Sequence, residues 1–188
     1  LVNGDEVEGY VETYPEYAKF CDPGNRVKMY FVARVNKKPE KVGTFIDKQV
    51  SEGDTVTKGT RNGIYMQFIT QKDEVLEMQV GLSYTGIENA RLNLKTEASD
   101  ISFNEVHIAA TKQWNKMLER IQAEGGRPED LKKFYTGLYH ALLGRGIASD
   151  VNGQYKLHGE GIGQIPLNDK GIPGYHHYNT DGIWGGFW

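Results

Sequence analysis

The first half of the chain alternates hydrophobic and polar residues. Apolar side chains recur at every second position in segment 27–35, and residues 62–70 and 74–82 show the same period. Alternation of this kind is typical of half-buried antiparallel strands, because successive side chains point to opposite faces. The apolar residues that share one face of segment 27–35 are Val27, Met29, Phe31, Ala33 and Val35. The pattern indicates no helix before residue 98.

Turn-forming residues separate these segments. They cluster at 22–25, 36–39, 51–54 and 61–63, and the Gly, Pro, Asn and Asp found there tolerate positive φ or fix the direction of a turn. Several strands of this length with turns at this spacing predict a β-sandwich.

The hydrophobic period changes after residue 100. Ser102 and Glu105 match a capping box, in which the two side chains satisfy free backbone amides of a first helical turn. A helix over about 103–123 is predicted, and we expect Gly125 and Gly126 to stop it in a left-handed conformation. Its apolar positions recur at three- and four-residue spacing: Phe103, Val106, Ala110, Trp114, Met117, Leu118 and Ile121.

A second helix is predicted from Pro128, with the acids Glu129 and Asp130 at its positive end. Its apolar face consists of Leu131, Phe134, Tyr135, Leu138, Tyr139 and Leu142. Two helices joined by a short connection form an αα-hairpin, whose remaining apolar surface needs further layers to cover it. Because the chain starts at Leu1 and stops at Trp188, inside an aromatic run, we expect it to be a piece of a longer protein.

Composition narrows the class of protein. With 188 residues, 38% hydrophobic and 25% charged, the chain is typical of a soluble globular protein. A single cysteine, Cys21, excludes an internal disulfide framework and a Cys-rich zinc site. The net charge of −3 indicates no basic face, so no nucleic-acid partner is predicted. No apolar run approaches the roughly 20 residues of a membrane span, so no membrane span is predicted either.

Residues 144–188 are Gly-rich and lack a clear period, which is typical of loops that build binding sites. A short hairpin is predicted around Asn152-Gly153. The stretches 150–155 and 175–184 combine acids and amides, which pair with hydroxyl groups, and aromatic rings, which stack on the C–H faces of sugars. This chemistry favours sugar recognition. The alternative is that 150–153 forms a turn and Trp184 belongs to the core, and residue types alone leave both open.

Other chemistries lack their motifs. His176 and His177 are adjacent, so on an extended chain their side chains point to opposite sides, and no two histidines stand four residues apart. The sequence contains neither a G-x-S-x-G elbow nor a phosphate-binding loop, so serine-hydrolase and P-loop chemistry are not predicted. Cys21 has no histidine nearby in sequence and is not predicted to be a nucleophile.

Four signals in chain order, over about residues 75–188, carry a resemblance to a known family. Residues 80–94 resemble the end of the N-terminal β-sandwich of glycoside hydrolase family 92, the calcium-dependent exo-α-mannosidases. Residues 134–140 are similar to an early helix of that family's helical domain, and Trp114 falls in the linking helix before it. Residues 150–155 are similar to the family's D-x-x-G-x-Y loop.

The resemblance implies a mixed fold, β then α. Residues 1–98 would be the C-terminal part of the N-terminal β-sandwich. Residues 99–126 would form the linker helix, and 127–188 the start of a truncated (α/α)6 barrel, the catalytic domain.

The function implied is inverting hydrolysis of terminal α-mannosides, with a glycan as partner, calcium as cofactor and a secreted, periplasmic or cell-surface location. On this resemblance the catalytic acid, the catalytic base and the calcium ligands lie C-terminal to Trp188. No catalytic or metal-binding residue is therefore expected in this chain, and the chain alone is expected to be inactive.

The resemblance also implies a sugar-binding set. Trp184 matches the tryptophan of the family's S-x-W-D-T-x-R motif, whereas Gly185 replaces the aspartate and Trp188 replaces the arginine. Together with the residue chemistry of 150–155 and 175–184, this match gives the expected substrate-binding residues, which are Trp184, Asp181, Tyr178, Gly185 and Asp150. The altered motif leaves open a non-catalytic or differently specific sugar-binding protein of the same architecture. A β-sandwich with a helical appendage used only for protein contacts is a third reading.

Overall fold

The computed structural model describes residues 1–2, 4–14, 26–99, 101–143, 146–159 and 161–179. The chain divides into two compact units, Leu1–Ser99 and Asp100–Trp188. The predicted turn at 22–25 and Cys21 lie outside the described residues. A β-rich N-terminal region is followed by helices, as the sequence predicts, while the domain limits at 98 and 126 stay predictions.

In the described residues of the first unit there are six strands and one helix. In chain order these are β1 (Glu6–Thr13), β2 (Val27–Val35), β3 (Lys41–Ile46), β4 (Gln49–Glu52), β5 (Asn62–Gln67), β6 (Met78–Ser83) and α1 (Ile87–Glu97). One antiparallel sheet has the order β1-β2-β6, and the other has the order β4-β3-β5. The strands predicted over 62–70 and 74–82 are therefore confirmed, but both are shorter, and β6 ends one residue later than predicted.

Helix α1 corrects the expectation that no helix precedes residue 98. Its apolar positions are Ile87, Ala90 and Leu94, and the stripe continues to Ala98 just beyond the helix. This three- and four-residue spacing is typical of a helix. Because the helix begins only four residues after a strand ends, its short apolar stripe looks like part of the strand pattern. Ala90 and Leu94 are buried against Val32 of β2 and form the core of the unit.

Strand β2 uses both of its faces. Tyr30 and Val32 pack with the core formed by α1, so the predicted face with Phe31 and Ala33 lies on the opposite side of the sheet. Strand β2 pairs edge to edge with β6, with Phe31 opposite Leu82 and Ala33 opposite Val80. The side chains of these two pairs therefore lie on that opposite face. The helix therefore covers the face of the sheet that the alternation does not single out.

Gly81 of β6 determines how closely α1 approaches the sheet. A Cβ atom added to Gly81 would overlap the carbonyl oxygen of Ala90 and lie 2.6 Å from Cβ of Leu94. Asn93 of the helix, which is buried, donates from Nδ2 to the Leu82 carbonyl at 2.7 Å. The contact is therefore backbone against backbone, and no side chain fits between the two elements.

A charged cluster fixes β1 to the same helix. Glu6 is only 3% exposed and accepts hydrogen bonds from Arg91 of α1 and from Arg34 of β2, the latter at 3.3 Å. Arg91 also pairs with Glu8. The hydrogen bond to Glu6 raises the pKa of Arg91 above its ordinary value. A buried carboxylate needs such partners, because an unpaired charge in this position would be strongly destabilising.

Glycines stand opposite aromatic residues at three places in these sheets. The directly paired residues are Gly9 and Phe31, Gly43 and Tyr65, and Gly63 and Phe45. In each pair a Cβ on the glycine would crowd the ring, at distances of 2.5 to 3.1 Å. Each ring fills the space that the missing glycine side chain leaves. If one strand shifted along the other, the ring would meet a residue with a side chain, so these pairs fix the strand register.

The second unit begins with the two predicted helices, α2 (Phe103–Leu118) and α3 (Pro128–Leu142). The capping box of Ser102 and Glu105 is confirmed, and its hydrogen bonds from Ser102 lower the pKa of the Glu105 carboxyl below its ordinary value. Pro128 opens α3, also as predicted. The rings of Trp114 and Tyr139 meet between the helices with centroids 4.6 Å apart.

Helix α2 ends at Leu118, five residues before the predicted limit. The hydroxyl group of Tyr135 accepts from the Ala123 N–H and donates to the Ile121 carbonyl, both at 3.2 Å. The backbone groups of Ile121 and Ala123 therefore bind a side chain of α3 and do not continue the hydrogen-bond pattern of α2. Gly125 and Gly126 have φ of 83° and 73°, so the predicted left-handed conformation is confirmed, but the prediction that they stop the helix is wrong, because the helix already ends at Leu118.

The contact at Gly81 generates a stability prediction. We expect Gly81→Ala to lower the free energy of unfolding by about 1–3 kcal/mol, because the added methyl group forces α1 away from the sheet. The matched control is Gly86→Ser, at the N-cap of the same helix, where nothing lies within 4 Å of an added Cβ and φ is an extended 174°. Serine is a favourable N-cap, so this variant should not lose stability. Urea unfolding followed by circular dichroism compares the two, and an unchanged midpoint for Gly81→Ala would contradict the argument.

Candidate functional site

Short strands and tight turns build the segment 146–179 of the second unit. The strands are β7 (Gly146–Ile147), β8 (Gln154–Lys156), β9 (Ile162–Gln164) and β10 (Tyr178–Asn179). Strand β8 pairs with β9 and β10 pairs with β7, both antiparallel. The segment that lacks a clear hydrophobic period is therefore held by many local hydrogen bonds.

Asp150 lies at the start of a tight turn and is 4% exposed. Its N–H donates to the Gln154 carbonyl and its own carbonyl accepts from the Gly153 N–H, both at 2.8 Å. The side chain of Asn152 accepts from the Gln154 N–H at 3.1 Å. The turn reading of 150–153 is thus confirmed, and the predicted short hairpin consists of the bridge between Ser149 and Tyr155.

Gly153 allows this turn to pack closely. It has φ of 81°, and a Cβ there would lie 2.9 Å from Nε2 of Gln164 and 3.3 Å from Cβ of Ile165. Ile165 is fully buried and its N–H donates to the Gly153 carbonyl at 2.9 Å. Gln164 closes the loop by donating to the Asn152 carbonyl at 2.9 Å. A small local core around Ile165 therefore fixes the position of the Asp150 turn.

A ring stack joins this turn to β10. The rings of Tyr155 and His177 are 4.3 Å apart and within 17° of parallel. Tyr155 also stands opposite Gly163 on β9, where a Cβ would overlap the phenol ring. The His177 N–H donates to Oγ of Ser149 at 3.1 Å, and its carbonyl accepts from the Ala148 N–H at 2.9 Å. His177 is thus held by its ring and by both backbone groups.

The structure describes two of the five predicted sugar-binding residues. Asp150 is buried in its turn, whereas Tyr178 on β10 is 45% exposed, so the two side chains occupy different environments. Asp181, Trp184 and Gly185 lie outside the described residues. The sugar-binding roles of all five stay predictions.

Sequence reasoning missed the Tyr155–His177 stack. The prediction that His176 and His177 point to opposite sides is confirmed. His177 stacks on Tyr155, while the ring of His176 meets the ring of Tyr178 edge-on, with centroids 6.2 Å apart. The residues of the stack are 22 positions apart, and no local pattern pairs them. In the described part of the chain, no group of three or more His, Cys, Asp or Glu residues could hold a metal ion, and no helix there is long and apolar enough to cross a membrane.

Comparison with protein families gives two matches in chain order. Residues 1–83 match the glycosyl hydrolase family 92 N-terminal domain, and residues 89–188 match the glycosyl hydrolase family 92 catalytic domain. No curated protein matches the chain significantly.

Several solved structures share the fold. A family GH92 α-mannosidase from Bacteroides thetaiotaomicron is 22% identical with a TM-score of 0.74, over 95% of this chain and 23% of that one. A GH92 inverting mannosidase from B. thetaiotaomicron VPI-5482 is 23% identical with a TM-score of 0.78, over 98% of this chain and 24% of that one. The GH92 family glycosyl hydrolase ccman5 is 22% identical with a TM-score of 0.81, over 98% of this chain and 23% of that one. The chain thus spans just under a quarter of each structure.

The packing at Gly153 is tested by a pair of alanine variants. Gly153 and Gly171 both have positive φ, but nothing lies within 4 Å of a Cβ on Gly171. Each Gly→Ala change costs about 1–2 kcal/mol for the left-handed backbone, and crowding at Gly153 adds about 1–3 kcal/mol. We therefore expect Gly153→Ala to be clearly less stable than Gly171→Ala in thermal or urea unfolding. Equal losses would show that the Asp150 turn is loosely packed.

Proposed function

Because its residues 89–188 match the catalytic domain, the chain belongs to glycosyl hydrolase family 92, and we propose that it forms part of an inverting exo-α-mannosidase acting on terminal α-mannosides of glycans. The ordered match to both domains of the family carries this proposal. The structures named as α-mannosidase and inverting mannosidase support the substrate class, because they share the fold over 95–98% of this chain.

Inversion requires a carboxylic acid and a carboxylate roughly 6.5–9.5 Å apart, with a water molecule between the base and the sugar. We propose that this pair comes from parts of the enzyme beyond the present chain. The chain would supply the β-rich unit, the first helices and the loop segment 146–179. The small share of each solved structure that the chain spans supports this division.

Calcium belongs to the proposal in the same way. In the described residues no three His, Cys, Asp or Glu side chains come together as candidate metal ligands. We propose that the ion, a hard cation that prefers six to eight oxygen ligands, is held elsewhere in the whole enzyme.

The helical hairpin is proposed to begin an (α/α)6 barrel. No residue of α2 or α3 is buried, and the exposed fractions of Phe103, Ile108 and Leu143 are 70%, 66% and 45%. Apolar helix faces of this kind need neighbouring helices.

A secreted, periplasmic or cell-surface location is also proposed, supported by the family resemblance and testable by fractionation of the producing cells.

A second candidate is a sugar-binding protein of the same architecture with another specificity or no catalysis. The sequence favours it at one point, since Gly185 and Trp188 stand where the family motif has aspartate and arginine. A carboxylate binds sugar hydroxyl groups through charge-assisted hydrogen bonds, and glycine has no side chain to replace it.

Activity measurements test the proposal directly. We expect the full-length gene product to release the aryl group from an aryl α-mannoside with calcium present, and the 188-residue chain alone to show no turnover above a mock preparation. A full-length product without mannosidase activity that still binds glycans would favour the second candidate. Turnover by the chain alone would show that the catalytic carboxyl groups lie inside it, and Asp150 and Asp181 would then be the first candidates to substitute.

Substitutions in the altered motif separate a sugar-binding Trp184 from a core Trp184. In the full-length protein we expect Trp184→Ala to weaken glycan binding or turnover by about tenfold or more while the melting temperature changes by a few degrees. Gly185→Asp should shift specificity toward mannose. A large loss of stability with unchanged sugar affinity in Trp184→Ala would contradict the sugar-binding role, because replacement of a buried tryptophan costs about 3–5 kcal/mol.

A further inference from the structure

The chain from His176 to Tyr178 has one anchored face and one open face. In extended chain, side chains alternate between the two sides. The ring of His177 lies on Tyr155, and the flanking rings of His176 and Tyr178 meet each other instead. All three side chains are exposed, but His177 is held by its stack on Tyr155, whereas His176 and Tyr178 contact each other on the other side of the chain.

The anchored face is held at three points. They are the ring stack on Tyr155 at 4.3 Å, the hydrogen bond from the His177 N–H to Ser149, and the hydrogen bond from the Ala148 N–H to the His177 carbonyl. Tyr155 in turn is pressed against Gly163 of β9. The backbone at 177 is therefore fixed relative to the Asp150 turn.

The open face presents a mixed surface. His176 is exposed, Tyr178 is 45% exposed, and Ile147, directly paired with Tyr178 across the β7–β10 ladder, is 57% exposed. A phenol ring and an aliphatic side chain offer flat apolar contact, and the phenol hydroxyl and the imidazole nitrogens offer both donors and acceptors. A pyranose has the complementary surface, with apolar C–H faces and a rim of hydroxyl groups.

We propose that His176 and Tyr178 form a platform that contacts a pyranose ring of the glycan, and that Tyr155 and His177 are the positioning residues of this platform. The proposal rests on the proposed function, which supplies the glycan. Tyr178 would stack on a sugar face and His176 would bind hydroxyl groups. A platform whose backbone is fixed before binding loses less conformational freedom when the sugar arrives, so we expect the contacts of His177 with Tyr155 and Ser149 to contribute to affinity.

The test uses the full-length protein and methyl α-mannoside, with affinity measured by calorimetry and backbone protection of 146–179 measured by hydrogen–deuterium exchange. Tyr178→Ala and His176→Ala should each weaken binding by about fivefold or more without changing protection at Ala148 and His177. Tyr178→Phe, which keeps the ring, should retain most of the affinity. Unchanged affinity in both alanine variants would overturn the platform.

The positioning role has its own variants. His177→Ala should raise exchange at the Ala148 amide and weaken sugar binding, and His177→Phe, which restores a ring over Tyr155, should recover both. The matched control is His107→Ala, because His107 stacks on Phe103 of the exposed helix α2 with centroids 6.4 Å apart and should affect neither readout. Increased exchange with unchanged affinity would overturn the positioning role. If the unaltered protein binds no mannoside, the proposed function fails, and the exchange data still decide whether the stack holds β10.

Discussion

The backbone contact between strand β6 and helix α1 at Gly81 is the constraint on which the first unit depends. With no side chain at Gly81, the carbonyl of Ala90 and the side chain of Leu94 come against the strand, and Val32 of the neighbouring strand becomes fully buried. The same helix carries Arg91, whose ion pairs with Glu6 and Glu8 hold the outer strand β1. One small residue thus lets a single helix organise all three strands of the sheet.

The loop segment of the second unit uses related physics without a large core. Gly153 lets the Asp150 turn pack on Ile165, and Gly163 accepts the ring of Tyr155, as Gly43 and Gly63 accept rings in the first unit. In each case a missing Cβ makes room for a neighbour that fixes the register. A segment with little regular structure can therefore hold side chains at set positions, which is what a binding site requires.

Patterns that are local in sequence predicted the fold well. Alternation located β2, β5 and β6, and the capping box and Pro128 located the starts of α2 and α3. Helix α1 was missed because its short stripe follows directly on a strand, and the end of α2 was misplaced because it depends on Tyr135, a residue of the next helix. The candidate site was more difficult to predict, because the contact between Tyr155 and His177 joins residues that are far apart in sequence. Only the opposite orientation of His176 and His177 could be predicted from the sequence. The family resemblance was carried by ordered motifs, and the matches to both domains of the family confirm it.

The stereochemistry of the first product decides whether the full-length protein is an inverting enzyme, because an inverting exo-α-mannosidase releases its sugar with the opposite anomeric configuration. Proton NMR of the anomeric region during hydrolysis of an aryl α-mannoside by the full-length protein records this product before it mutarotates. We expect β-mannose to be the first species to appear. Release of α-mannose first, or no release of mannose at all, would contradict it.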